Sequence, residues 1–158
     1  MSKIVIDARE LRTSTGRYVE RLLHYLQEID YENSYQILLK PKDMDTWKPV
    51  NPKFRKVECK YKEFSFSEQI GLWRFINKLD ADLVHFGMVQ QPILYTGKTV
   101  TTMHDLTTAR FRNPDKNFVV FWLKQQIYKW VNKRVAQKSG AIIVPTEYVK
   151  DDVARFTG

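Results

Sequence analysis

A histidine and an aspartate stand together directly after a β-branched run in the second half of the chain. His104 and Asp105 follow residues 98–103 (KTVTTM), a pattern typical of a β-strand. Histidine is the side chain whose charge is most easily tuned near neutral pH, and a carboxylate beside it makes a polar site. The same two residues also suit a structural histidine and an aspartate that caps a turn. His104 and Asp105 are therefore candidate site residues with a structural alternative.

A polar loop follows the first apolar run of the chain. Residues 7–9 (DAR) come after it, and residues 12–18 (RTSTGRY) lead into a predicted helix with Gly16 at its start. Glycine there allows the backbone to approach a ligand closely, and the free N–H groups of a helix start suit a phosphate. Arg17 adds positive charge, and Tyr18 follows it. The loop has neither a G-x-G-x-x-G nor a Walker pattern, so an ordinary glycine turn is the alternative.

Two further loops place polar residues after predicted strands. Gly87 permits a sharp turn after residues 82–86 (DLVHF), and Gln90 suits a ligand rich in hydroxyl groups. Thr146 and Glu147 follow residues 141–144 (AIIV), where Thr146 also has the simpler role of a helix cap. A plain loop and a plain cap are the respective alternatives. The sequence shows no Ser-His-Asp set and no metal-ligand spacing, and it gives no reason to expect a cofactor or a metal.

The elements that carry these loops alternate between strand and helix patterns. Strands are predicted at Ile4–Ile6, Gln36–Leu39, Val57–Tyr61 at a sheet edge, Leu83–Phe86, Lys98–Met103 and Ala141–Val144. Helices are predicted from Val19 to Ile29, from Ser65 to Leu79, over residues 118–138 and from Thr146 to Phe156. This alternation predicts an α/β fold, with a Rossmann-like parallel sheet of about six strands and helices on both faces. Ligands bind such sheets at the carboxyl ends of the strands.

The helix patterns also predict which side chains are buried. Ser65 and Glu68 have the spacing of a capping box, and the helix after them should bury Ile70, Trp73, Ile76 and Leu79. The long helix over residues 118–138 should bury a stripe of Val120, Leu123, Ile127 and Val131.

Length and composition favour a single domain over residues 1–158. Apolar residues make up 43% of the 158 residues and charged residues 28%, which is ordinary for a globular protein. Cys59 is the only cysteine, which excludes an intrachain disulfide. The longest apolar run, residues 118–123, is far shorter than the roughly 20 residues that span a bilayer. The amino terminus has a strand pattern rather than that of a secretion signal, so the predicted location is cytoplasmic.

The chain carries a net charge of +8, and residues 106–158 hold ten basic and four acidic residues. Such an excess favours an anionic partner: nucleic acid, an anionic membrane surface or a phosphorylated ligand. No nucleic-acid-binding motif is present, so the only support for a nucleic-acid partner is the positive charge. The alternative is a layer of solvated lysines over an aromatic-rich core.

Taken in order, five segments resemble the amino-terminal domain of glycosyltransferase family 4, whose members are retaining enzymes of the GT-B fold. They are residues 4–11 (IVIDAREL), 15–26 (TGRYVERLLHYL), 82–86 with Pro92 after them, 99–107 (TVTTMHDLT) and 139–156 (SGAIIVPTEYVKDDVARF). The resemblance implies the acceptor-side half of a two-domain enzyme that transfers a sugar from a nucleotide-diphosphate sugar. The donor-binding second domain has no counterpart in these residues, so the chain is expected to be inactive alone.

The resemblance also implies roles for single residues. Gly16 matches the glycine that approaches the donor by its backbone, His104 matches the histidine that contacts the transferred sugar, and Asp105 matches its supporting neighbour. Thr146 and Glu147 match the cleft-side start of the last helix. Ser14 replaces the first glycine of the family's usual Gly-x-Gly, and residues 87–90 lack the histidine often found in that loop. The acceptor therefore stays open, with a lipid-linked or saccharide acceptor possible.

Many members of the family work on lipid-linked acceptors at the inner membrane face. Residues 118–138 carry five bases without an acid, namely Lys124, Lys129, Lys133, Arg134 and Lys138, with Trp122 and Trp130 nearby. Lysines with aromatic residues suit an anionic bilayer surface. The chain is therefore expected to be cytoplasmic, with peripheral membrane association as one option. A non-catalytic module that binds an anionic partner, either nucleic acid or a membrane surface, is the alternative function.

Overall fold

The computed structural model of the chain describes residues 1–63, 65–107 and 118–158. Its strands are β1 (Lys3–Asp7), β2 (Ser34–Leu39), β3 (Phe54–Glu58), β4 (Leu83–Phe86), β5 (Thr99–Thr102) and β6 (Ala141–Ile143). Its α-helices are α1 (Gly16–Ile29), α2 (Trp73–Leu79), α3 (Phe118–Lys138) and α4 (Glu147–Thr157). A short 3-10 helix covers Pro41–Asp43, and a π-helix covers Ser67–Leu72 directly before α2.

The six strands form one sheet in the order β3-β2-β1-β4-β5-β6, and every neighbouring pair is parallel. Parallel neighbours need crossover connections. Helix α1 lies in the crossover from β1 to β2 and α3 in that from β5 to β6, whereas a short 3-10 helix lies between β2 and β3 and loop residues 87–98 join β4 to β5. The predicted α/β, Rossmann-like parallel sheet is thus confirmed. The order reverses beside β1, so the carboxyl ends of β1, β4 and β5 lie next to one another at the point where such folds bind ligands.

The core lies on both faces of the sheet because alternate residues of a strand point to opposite sides. On one face, Ile6 and Ile37 pack with Val19 and Leu23 of α1. On the other face, Val5 packs with a second cluster that includes Leu72, Ile76, Val84 and Phe86. A third cluster joins Met103 and Leu106 to Val153 of α4, with Tyr128 and Ala136 of α3 against it.

The predicted third strand differs from the structure in its residue range. The third strand was placed at Val57–Tyr61 but runs over Phe54–Glu58, because its register is fixed by pairing of Tyr35 with Phe54 and of Leu39 with Glu58. Its predicted position at the sheet edge is confirmed.

The helix after Ser65 begins with the predicted contact, since the Glu68 N–H donates to Ser65 Oγ at 3.3 Å. It starts as a π-helix, however, and the Glu68 carboxylate is used elsewhere. Ile76 is fully buried and Trp73 and Leu79 are half-buried, whereas Ile70 is exposed, contrary to the prediction.

The predicted buried stripe of α3 is wrong. Leu123 and Ile127 are exposed, and Val131 is only half-buried. The side chain of Val120 lies outside the described residues. The buried side of α3 instead carries Asn132 and Val135, because that side faces β5 and α4.

The outward side of α3 is consequently apolar over much of its length. Trp122, Leu123, Ile127 and Trp130 are each 52–57% exposed. Positions 123, 127, 130, 134 and 138 follow a spacing of three or four residues and so share one face of the helix. Arg134 and Lys138 thus continue the row that Leu123, Ile127 and Trp130 begin. We call these five residues the outer row.

The last helix follows its predicted capping. Thr146 is its N-cap and its Oγ1 accepts the Val149 N–H at 3.2 Å. Gly158, at φ 91°, closes the helix by donating its N–H to the Ala154 carbonyl at 3.1 Å, in a conformation that favours glycine. Among the described residues, no helix is both long and apolar enough to span a bilayer.

Candidate functional site

His104 lies two residues beyond β5, at the carboxyl edge of the sheet, and is half-buried. Its Nε2 is 2.9 Å from the carbonyl oxygen of Gly87, in the loop after β4. A carbonyl oxygen only accepts hydrogen bonds, so Nε2 carries the proton and donates. In the neutral imidazole, Nδ1 is then an acceptor, and no partner for it lies among the described residues. His104 therefore joins two loops and keeps one acceptor unused.

Tyr18, in the first turn of α1, packs edge-on against His104 with ring centroids 5.4 Å apart. Its hydroxyl accepts a hydrogen bond from Thr102 Oγ1 at 3.1 Å. Burial raises the pKa of Tyr18, and the hydrogen bond from Thr102 opposes that effect. The residues predicted after β1, β4 and β5 are thus brought together here through Tyr18, Gly87 and His104.

A buried histidine lies behind Tyr18. His85, in β4, is 8% exposed, and its Nε2 lies 3.0 Å from Thr102 Oγ1. Removal from water lowers the pKa of His85 to about 4, although the negative charge of Asp7 acts in the opposite direction. His85 is therefore neutral at pH 7.

Asp105 is exposed, and its Oδ1 accepts the Thr107 N–H at 2.9 Å. This contact is the turn-capping role that the structural alternative gave it. Asp105 therefore shapes the loop that carries His104.

Gly16 is required by the packing of its own loop. A Cβ atom there would lie 1.8 Å from the carbonyl oxygen of Glu10, a distance no side chain tolerates. The Gly16 N–H is already used, since it donates to the Thr13 carbonyl at 3.1 Å. Arg17 next to it is exposed. The glycine therefore has a structural cause that holds whether or not a ligand binds nearby.

A buried ion network at the end of β1 was not predicted. Arg9 is 2% exposed and its guanidinium contacts both Asp7 oxygens, at 2.8–3.2 Å, and Glu68 Oε1 at 2.9 Å. Its Nη1 also donates to the Tyr61 carbonyl at 3.1 Å. Burial would lower the pKa of Arg9, but the two carboxylates outweigh it and raise that pKa. Glu68 also accepts a hydrogen bond from Gln90 Nε2, so the network connects three loops.

The loop after β4 is held by the start of the π-helix. Besides the Gln90 contact, Gln69 Nε2 donates to the Gln91 carbonyl at 3.1 Å, and Gln69 Oε1 accepts the Ile93 N–H at 3.0 Å. Gly87 is buried at the start of this loop, where a Cβ atom would lie 2.5 Å from Cγ2 of Val19. Helical turns of the π type occur often at functional sites. Here the turn fixes the position of the predicted Gly87–Gln90 loop.

A second charged cluster lies at the ends of β1, β2 and β3. Lys40 Nζ is 3.1 Å from Glu10 Oε1 and 2.7 Å from Glu63 Oε1. Burial and the neighbouring Glu63 raise the pKa of Glu10. Burial would also raise the pKa of Glu63, but hydrogen bonds with Glu10 and Lys40 lower it to about 2. Perturbed carboxyl groups of this kind are common at functional sites.

A small pocket opens between these groups. It is lined by Asp7, Arg9, Glu10, Thr15, Val19, Gly87 and Met88. Its walls come from the β1–α1 loop, from α1 and from the loop after β4. The pocket therefore lies where the topology of the sheet predicts ligand binding.

The contacts of Thr146 and Glu147 do not involve the residues that meet around His104. Thr146 caps α4, and Glu147 is exposed and pairs with Lys150 at 2.9 Å. Within the described residues, no hydrogen bond or ion pair joins either one to Tyr18, Gly87 or His104. Among all the residues that the structure describes, no group of three or more His, Cys, Asp or Glu side chains is placed to hold a metal ion.

The parallel sheet and its strand order define a Rossmann-like α/β domain, with polar loops at the point where the strand order reverses. The family model for glycosyltransferase family 4 matches residues 15–158, nearly the whole chain. The chain therefore belongs to glycosyltransferase family 4, as the sequence segments had indicated. No curated protein matches it in a direct comparison.

Proposed function

We propose that this chain is the acceptor-side domain of a retaining glycosyltransferase that transfers a sugar from a nucleotide-diphosphate sugar. Membership of family 4 supports this proposal. The observation that carries it is the meeting of the loops after β1, β4 and β5, where Tyr18, Gly87 and His104 are in contact. The donor-binding second domain has no counterpart in these 158 residues, so the chain alone is inactive.

In this proposal each predicted residue has a role. His104 orients the transferred sugar by hydrogen bonding, and Asp105 holds the His104 loop. Gly16, Arg17 and Tyr18 face the donor at the start of α1, where the positive end of the helix dipole and the exposed Arg17 guanidinium stabilise charge on a leaving diphosphate. Gly87 and Gln90 lie on the acceptor side, and Thr146 and Glu147 form the far wall of the cleft. The acceptor is a saccharide or a lipid-linked molecule.

The test joins the chain to the donor-binding domain of a family 4 enzyme and measures sugar transfer from a panel of nucleotide-diphosphate sugars. We expect no transfer by the 158 residues alone and measurable transfer by the joined protein. His104→Ala should lower the rate on the order of a hundredfold, because lost positioning has effects of that size. Its melting temperature should change little, since His104 is only half-buried.

His24→Ala is the matched control, because His24 is exposed on α1, where it pairs with Glu28 and contacts the ring of Tyr25. Its rate and melting temperature should both match those of the unmodified protein. Transfer by the purified 158 residues alone would contradict the half-enzyme proposal. A His104→Ala protein that melts early but keeps its full rate would contradict the role of His104.

We further propose that the domain works in the cytoplasm as a peripheral protein at the inner membrane face. The supporting observation is the outer row of α3, where Leu123, Ile127 and Trp130 are exposed beside the exposed Arg134. Lys138, at the end of the row, is half-buried, and its Nζ donates to the Ile93 carbonyl at 2.8 Å. Apolar side chains next to bases match the boundary between lipid headgroups and acyl chains. No acidic residue lies on this helix to oppose an anionic surface.

Sedimentation with lipid vesicles tests this second proposal. The chain should bind vesicles of anionic lipid better than neutral ones, and less at high salt. Ile127→Ser with Trp130→Ala should weaken binding by tenfold or more, because both side chains lose apolar burial. Ile29→Ser is the control, since Ile29 is 75% exposed on α1, away from the outer row. Equal binding to both vesicle types would refute membrane association, and salt-sensitive binding to nucleic acid instead would support the non-catalytic alternative.

A further inference from the structure

Two hydrogen-bonding groups that have no partner among the described residues lie side by side at the carboxyl edge of the sheet. The first is the hydroxyl hydrogen of Tyr18, since this oxygen accepts from Thr102 and has no acceptor of its own among the described residues. The second is Nδ1 of His104, because Nε2 already donates to Gly87. Their rings are in edge contact, with centroids 5.4 Å apart. Both groups are therefore within reach of a single monosaccharide ring.

The direction of the Tyr18 hydroxyl is set from behind by buried residues. Thr102 is 1% exposed and has one hydroxyl hydrogen, which it donates to Tyr18. Its oxygen is then free to accept, and the neighbouring His85 Nε2 at 3.0 Å is the donor that faces it. Because the single hydroxyl hydrogen of Thr102 goes to Tyr18, Nε2 of His85 carries the ring proton and donates it to Thr102. The three side chains therefore form a row in which each hydrogen bond points toward Tyr18.

We infer that Tyr18 determines ligand specificity at this site, and that His85 and Thr102 are positioning residues that act through it. The inference rests on the proposed function and names the chemistry that the site selects. Tyr18 donates to a ligand oxygen, whereas Nδ1 of His104 accepts from a ligand hydroxyl or amine. A sugar ring offers both kinds of group. A phosphate dianion offers acceptors only and leaves Nδ1 without a partner.

The positioning role is tested by substitutions at Thr102. Thr102→Val keeps the shape and removes the hydroxyl, whereas Thr102→Ser keeps the hydroxyl and serves as the matched control. The titration of Tyr18 is followed by NMR on protein labelled with ¹³C at tyrosine Cζ. In Thr102→Val the pKa of Tyr18 should rise, because the phenolate loses a donor, and in Thr102→Ser it should stay unchanged. A lowered pKa in Thr102→Val would show that Tyr18 donates to Thr102, which overturns the inference.

Ligand selection is tested at pH 8 on the 158-residue chain, with methyl pyranosides and inorganic phosphate as probes. Histidine side chains are ordinarily neutral at that pH. The pyranosides should shift the NMR signals of Tyr18 and His104, and phosphate should not. Tyr18→Phe keeps the ring contact with His104 and should weaken pyranoside binding about two- to tenfold, as the loss of one hydrogen bond implies.

The outcomes separate this inference from the proposed function. Equal binding of phosphate and pyranosides, or pyranoside binding by Tyr18→Phe as tight as that of the unmodified chain, overturns the specificity role of Tyr18 while leaving family activity untouched. No shift with either probe also overturns it. Sugar transfer that fails in the joined two-domain protein, while the pyranosides still select through Tyr18, counts against the proposed function alone.

Discussion

The buried imidazole of His85 makes a prediction about acid stability. In the folded chain its pKa is lowered to about 4, mainly because burial excludes water from a charged ring. In the unfolded chain the same group has its ordinary pKa of 6.5. Between these two pKa values the imidazole is protonated in the unfolded state but neutral in the folded state. The contribution of His85 is therefore complete above pH 6.5 and is lost as the pH falls toward 4.

The size of this loss follows from the two pKa values. Their separation converts to about 3 kcal/mol of unfolding free energy between pH 7 and pH 4. Urea unfolding, followed by tryptophan fluorescence at several pH values, measures it in the unmodified chain and in His85→Gln. The glutamine amide can still reach Thr102 but does not titrate. Between pH 7 and pH 4 the unfolding free energy of His85→Gln should therefore fall by about 3 kcal/mol less than that of the unmodified chain.

Other acidic and basic groups titrate in both proteins and cancel in the difference between the two curves. Curves that run parallel from pH 7 to pH 4 would refute the reasoning. They would show that His85 is protonated in the folded state as readily as in the unfolded one.

Two further predictions concern the loop after β1. Arg9→Met should lower the unfolding free energy by about 3–5 kcal/mol, because Asp7 and Glu68 are left as buried charges without a counter-ion. Arg74→Met, at an exposed position of α2, should change it by less than about 0.5 kcal/mol. Equal losses of unfolding free energy in these two variants, measured by urea unfolding, would contradict the role given to the ion network around Arg9. Gly16→Ala should destabilise by about 1–3 kcal/mol through the clash with the Glu10 carbonyl. Gly140→Ala is its control, since a Cβ atom there comes no closer than 3.3 Å to the Thr99 carbonyl, and equal melting temperatures would refute the packing role of Gly16.

The sheet was predictable from sequence because its signals are local. Short apolar runs mark β1, β4 and β6, and Thr146 and Gly158 mark both ends of α4. Helical spacing predicts that a helix is amphipathic, but not which of its sides meets a neighbour. In α3 the apolar row of Leu123 and Ile127 is real, yet β5 and α4 contact the opposite side. The position of β3 failed for a similar reason, because strand pairing sets its register.

The position of the candidate site was predictable from the sequence, but its hydrogen bonds and ion pairs were not. The meeting of the loops after β1, β4 and β5 follows from strand order alone. The pairing of Arg9 with Glu68 spans 59 residues of sequence, and no local pattern indicates it. The one available signal was Asp7 and Arg9 flanking the end of a buried strand, where charges need partners. Likewise, Thr102 gave no sign that it would bridge His85 and Tyr18.

The carboxyl edge of the sheet is held together by buried polar contacts where apolar packing would have sufficed for stability. Replacing a buried ion network with apolar residues of similar volume is often neutral or stabilising, so the network around Arg9 is weak as an explanation of fold stability. Apolar contacts are not directional, whereas hydrogen bonds fix angles as well as distances. Glu68 orients Gln90, and Gly87 orients His104. Orientation of these loops is what a ligand site needs, and it is the property that these polar contacts supply and apolar packing does not.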